Sequence, residues 1–235
     1  MASRQSTRRR GPSPGGLSWA FSTSALMPLA LLSAVLLWSG ASADGKKLCP
    51  GYSGDGRNHV VGTKGDDTLR GSGEADVICG LGGDDRISGL GGSDELRGGD
   101  GNDAIKGGGG ADNIDGDEGG SDDSPGNDVI HAGSANDFVF ADDGSDWITG
   151  NRGRDFVRAG GGKDSVHGGD KGDWVKGSAG EDSLFGGEGD DFVSGEKHDD
   201  KLGGGSGYDD LRGGGHTDTC WVGADGGEQA GCEGP

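Results

Sequence analysis

From residue 62 onward a large aliphatic residue returns every nine positions. Counting each unit from Gly62, the eighth position is Leu, Ile or Val in sixteen of seventeen units, from Leu69, Ile78 and Ile87 to Leu202 and Leu211, and Cys220 in the last. One inward residue flanked by two outward ones fits the period of two along a strand. The pattern therefore predicts units that couple a Gly-rich six-residue turn to a three-residue strand. Each unit is half a coil, so two units make an 18-residue coil with one short strand in each of two parallel sheets, their apolar residues meeting inside. The predicted fold class is all-β, a right-handed parallel β-roll. Seventeen units give about 8.5 coils, and a strand spacing of roughly 4.8 Å makes the roll about 40 Å long.

The frame breaks once, between Asp112 and Asp128, and the surplus in 117–123 is expected to be a surface loop. That stretch begins like an EF-hand at Asp115, but Gly126 stands where the bidentate Glu is needed. A weaker unit with Asn58 and Val60 in the two periodic columns precedes the array, as an atypical capping repeat does. The expected organisation is an N-terminal cap at 44–61, a roll at 62–221 where the frame ends, and a C-terminal cap at 222–235. Residues 1–43 read as a secretory signal peptide. Arg8, Arg9 and Arg10 precede an apolar stretch at 24–38, Pro28 interrupts it, and Ala41-Ser42-Ala43 supplies a cleavage site. The apolar run is short for a membrane span.

Composition sharpens this picture. The chain has 57 Gly, a net charge of −20 and only 29% hydrophobic residues, too few for a conventional core at 235 residues. Acidity excludes a nucleic-acid or anionic-lipid surface, each of which needs a basic footprint. Divalent cations are the natural partners.

The sixth position of every unit is Asp: residues Asp67, Asp76, Asp85, Asp94, Asp103, Asp112, Asp128, Asp137, Asp146, Asp155, Asp164, Asp173, Asp182, Asp191, Asp200, Asp209 and Asp218. Coil stacking places the Asp of one unit above that of the next unit but one, and such carboxylate columns repel unless a cation lies between them. Hard oxygen ligands, flexible Gly turns and a column without His or Cys specify Ca²⁺ rather than Zn²⁺ or Mg²⁺. A thin, acidic core cannot offset ordering entropy without the metal, so folding is expected to be coupled to Ca²⁺.

These units resemble the hemolysin-type (RTX) calcium-binding nonapeptide repeat, G-G-x-G-x-D-x-U-x with U a large apolar residue. Strict matches lie at 98–103, 107–112, 186–191 and 204–209, and the resemblance covers about 62–221. Because the repeat fills the chain apart from short ends and 1–43 reads as a signal peptide, a stand-alone secreted bacterial form is expected, a departure from the C-terminal export signal that many such repeat proteins carry. The resemblance implies Ca²⁺ held by Asp carboxylates and turn carbonyls of units n and n+2, with at most about 15 intercoil sites. Departures concentrate at the fourth position. Glu74, Ala135, Lys171, His198 and His216 replace Gly there, and these side chains are poorly suited to its backbone angles. Those turns are the weakest expected sites.

Cys49, Cys79, Cys220 and Cys232 allow three pairings in an oxidising compartment. Local pairing, Cys49 with Cys79 and Cys220 with Cys232, staples each end of the roll and is the expected arrangement. Phe138, Phe156, Trp174 and Phe192 recur 18 apart at the seventh position, with Arg158 and Lys176 nearby. They predict an exposed aromatic ladder on one sheet, either a face for a cell-surface glycan or protein or, the preferred reading, stacking that stabilises the sheet. An ice-binding role needs regular outward Thr and Asn files, and the mixed third position speaks against it. No H-E-x-x-H or G-K-[ST] motif occurs, the one G-x-S-x-G match falls at 11–15, and His59, His131, His167, His198 and His216 are dispersed. The expected function is that of a secreted, monomeric, non-catalytic Ca²⁺-binding protein.

Overall fold

A computed structural model describes residues 56–117 and 125–233. The expected signal peptide and most of the expected N-terminal cap lie outside the described residues. Strands follow one another as β1 (Asn58–Val61), β2 (Thr68–Arg70), β3 (Asp76–Gly82), β4 (Arg86–Gly91), β5 (Glu95–Asp100), β6 (Ala104–Gly109), β7 (Asn113–Asp115), β8 (Val129–Ser134), β9 (Phe138–Asp143) and β10 (Trp147–Arg152). They continue as β11 (Phe156–Gly161), β12 (Ser165–Asp170), β13 (Trp174–Ala179), β14 (Ser183–Glu188), β15 (Phe192–Lys197), β16 (Lys201–Ser206), β17 (Asp209–Gly215), β18 (Thr219–Trp221) and β19 (Gly227–Ala230). Odd strands form a ten-stranded sheet and even strands a nine-stranded one. Every ladder is parallel, and neighbours in each are one coil apart, as in Val157 opposite Val175 and Ile148 opposite Val166. The protein is an all-β parallel β-roll.

The aliphatic column of both sheets forms one core cluster, with Ile78, Leu96, Ile105, Val139 and Leu211 fully buried. Each such side chain contributes about 1.5–3 kcal/mol on burial.

The strands are longer than the three residues expected. Most span six, and β4, for example, alternates inward and outward beyond the aliphatic residue. The first position of each unit, two residues after the aliphatic one, therefore also faces inward. Only Gly or Ala fills it within the strands, and Ala132, Ala141 and Ala159 there are fully buried core members. The turn shrinks to the fourth to sixth positions.

Across the frame break the register shifts from 18 to 25 residues, as in Ala104 opposite Val129 and Asn113 opposite Phe138. Seven extra residues are thus expelled without disturbing either sheet. The frame also runs one unit beyond Trp221. β19 pairs with β17, with Gly227 opposite Asp209 and Gln229 opposite Leu211. Gly in the Asp column and Gln in the aliphatic column hid this strand from the periodic pattern, and a polar Gln suits a strand that caps an open coil.

Candidate metal centre

Each Asp of the column sits where a turn enters a strand, and its two carboxylate oxygens have different fates. Oδ1 accepts the backbone N–H of the Asp one coil earlier: Asp85 donates to Asp103 at 2.7 Å, Asp128 to Asp146 at 2.8 Å and Asp191 to Asp209 at 3.1 Å. The ladder survives the insertion, with Asp103 donating to Asp128 at 2.8 Å. Oδ2, by contrast, is buried without a hydrogen-bond partner in fifteen of these residues, from Asp85 to Asp218. The first two differ. Asp67 Oδ2 accepts from the Thr63 N–H and hydroxyl, and Asp76 Oδ2 from the Ser72 N–H and hydroxyl. At the N-terminal edge Asn58 donates its side-chain amide to Asp76 Oδ1 at 2.8 Å, which begins the column as its sequence position implied.

The orphaned oxygen faces a cradle. A Cβ added at Gly80, Gly98 or Gly168 would collide with Oδ2 of the Asp five residues on and with the carbonyl oxygen of the equivalent residue one coil further, Gly98, Gly116 and Gly186 respectively. At these glycines an orphaned carboxylate oxygen and a backbone carbonyl thus crowd one small volume at the coil interface, whereas Ala132, Ala141 and Ala159 fill the same position in three other units.

Burial sets the electrostatics. Asp85, Asp103, Asp128, Asp146, Asp173 and Asp191 are at most 3% exposed. Loss of hydration pushes Asp103, Asp128, Asp146 and Asp173 up to about 8, although the donated N–H pulls the other way, and the neighbouring carboxylate of the column adds to the rise. The same causes carry Asp112, Asp137 and Asp191 to about 7. Buried carboxylates without a counter-charge cost several kcal/mol each when ionised.

The oxygen set fits calcium. Among the described residues no group of three or more His, Cys, Asp or Glu side chains converges as a metal cluster. What the column offers is carboxylate oxygen beside backbone carbonyl oxygen, the donor type of a hard cation.

A family model for the RTX calcium-binding nonapeptide repeat (4 copies) matches residues 52–87, 88–121, 122–148, 140–175, 167–202 and 195–227. The chain belongs to this RTX calcium-binding repeat family. It is therefore a Ca²⁺-binding repeat protein. No curated protein matches it.

Two expectations for the RTX array change. At the fourth position Ala135, Lys171, His198 and His216 do adopt the left-handed conformation, with φ of 90°, 72°, 77° and 84°, whereas Glu74 does not. The turns with these four side chains therefore keep the backbone path of the glycine turns, at a strain of about 1–2 kcal/mol each. The column also has a role in the fold that repulsion between stacked carboxylates did not suggest, since Oδ1 stitches successive coils together.

Cys220 and Cys232 form a disulfide, and Cys79 is disulfide-bonded as well. Cys49 lies outside the described residues. The aromatic residues stack as expected, with centroids 6.1 Å apart for Phe138 and Phe156, 6.5 Å for Phe156 and Trp174 and 4.3 Å for Trp174 and Phe192. They are half-buried rather than exposed, because neighbouring rings cover one another and Arg212 lies over Phe192 at 4.9 Å.

Proposed function

We propose that this RTX protein folds on binding Ca²⁺ through its Asp column and works outside the cell as a calcium-loaded structural or surface-interaction module without catalysis. The observation that carries the reading is the file of fifteen buried, unpartnered Asp Oδ2 atoms, ten of which share a Gly-lined space with a backbone carbonyl of the next coil. Ca²⁺ would be held by Asp85 through Asp218 of the column with turn carbonyls, supplying positive charge to carboxylates that water no longer hydrates. Asp67 and Asp76, whose Oδ2 atoms already have partners, would contribute less. Export rests on the sequence at 1–43 and is supported by the bonded Cys79, Cys220 and Cys232, which suit an oxidising compartment.

Paired substitution Asp155→Asn with Asp173→Asn, one coil apart and both beside a Gly-lined cradle, tests the column. The amide keeps the Oδ1 acceptor but removes the anionic oxygen. Far-UV circular dichroism should show the Ca²⁺ concentration at half-folding rising at least several-fold, with Mg²⁺ ineffective and calorimetry showing fewer ions bound. A variant that folds at the same or lower Ca²⁺ would mark the column as a purely structural ladder, since removing buried charge is otherwise stabilising.

A further inference from the structure

The nine-stranded sheet carries a groove of about 750 Å³ on its outer face, away from the Asp cradles, crossing β10, β12, β14 and β16. Its floor is backbone, because Gly169, Gly187 and Gly205 lack side chains there. One wall is the ninth-position file, in which His167 and Phe185 meet at 5.0 Å with planes 60° apart. The next residue in that file is Gly203, and Phe185 and Trp221 lean over it from either side. A Cβ at Gly203 would lie 2.6 Å from Phe185 Cδ2 and 2.8 Å from Trp221 Nε1. Trp221 remains 44% exposed.

The opposite wall is the third-position file, with Asp170 and Glu188 one coil apart and Arg152 3.9 Å from Asp170. Carboxylates along one side, π surface along the other and a flat floor are the elements that hold a polyhydroxylated ring. Apolar C–H groups lie on the aromatic residues while vicinal hydroxyls donate to the carboxylates. The repeat along the groove is the strand spacing of roughly 4.8 Å, close to the length of one pyranose unit. Charge selects the ligand further. Along the groove Asp170 and Glu188 face solvent and the one Arg, Arg152, is paired with Asp170, so the lining repels polyanions.

We propose that this groove binds a neutral saccharide chain, laid along the roll with its rings against His167 and Phe185. The inference rests on the calcium-loaded roll, which must be formed to align the two files. It also places the saccharide on the sheet opposite the Phe138-to-Phe192 ladder.

The test is affinity electrophoresis of the Ca²⁺-loaded chain through gels containing hydroxyethyl cellulose, mixed-linkage β-glucan or galactomannan, with dextran sulfate, which does not gel with Ca²⁺, as the polyanion. Retardation is expected in at least one neutral gel and not in dextran sulfate. Asp170→Ala, at an exposed site that does not threaten folding, and Phe185→Ala should each weaken it at least ten-fold, whereas Phe156→Leu on the other sheet should not. No retardation in any neutral gel, stronger retardation in dextran sulfate, or binding indifferent to both groove substitutions overturns the proposal. Circular dichroism on the same samples separates the two readings. A roll that forms with Ca²⁺ yet binds no saccharide sinks the groove alone, while a chain left unstructured by Ca²⁺ sinks the calcium reading and the groove with it.

Discussion

At the scale of single residues the repeat is an argument about which positions tolerate a Cβ. Gly168 does not, because a side chain there meets Asp173 Oδ2 and the Gly186 carbonyl. Gly168→Val should cost about 1–3 kcal/mol in Ca²⁺-loaded stability, measured by urea unfolding, as overpacking of a filled site does. Ala135 presents the reverse case. Its φ of 90° is one that glycine reaches without strain, so Ala135→Gly should leave stability unchanged or raise it by up to about 1 kcal/mol. The Asp and aliphatic columns were legible from their types alone. The inward first position was not, since Gly and Ala read as turn residues until the strand is seen to continue through them. The double duty of Asp, one oxygen for the ladder and one left over, is likewise invisible in a residue letter.

At the scale of the element, a parallel ladder fixes the register and lets surplus chain leave at a turn. The spacing across the insertion exceeds one coil by seven residues, the length of 118–124. Deleting them should preserve the roll and its Ca²⁺ transition, with a melting temperature equal to or slightly above that of the parent, because a shorter loop costs less closure entropy. A large fall in melting temperature would show that the insert packs on the roll. The sequence showed seven surplus residues because both columns resume in phase after them, but Asp117, expected in a surface loop, is buried and accepts the Gly126 N–H. The sequence placed the end of the frame too early, because β19 carries Gly227 and Gln229 where Asp and an aliphatic residue stood before.

At the scale of the whole molecule, stability and charge are bound together. A carboxyl whose folded value lies above its unfolded value near 4 holds its proton more tightly in the roll. For Asp103, Asp128, Asp146 and Asp173, at about 8, and Asp155, Asp164, Asp182 and Asp200, at about 6, the stabilisation of the metal-free roll is full below pH 4 and is lost as pH rises through 6 to 8. In chelator, β signal should therefore grow as pH is lowered from 8 toward 4. In Ca²⁺ the trend reverses, and the midpoint Ca²⁺ concentration should rise on acidification as protons displace the ion. A circular-dichroism grid of pH against Ca²⁺ checks both signs. The sequence by itself determined the period, the two-sheet roll and the oxygen chemistry of its columns, because a nine-residue repeat of one aliphatic and one acidic position admits few backbones that bury the first and align the second. Only the tertiary structure decided which carboxylate oxygen is left over, how the aromatic residues are covered and where a groove opens. Those properties depend on residues 18 or more apart in the chain that meet only when the coils stack.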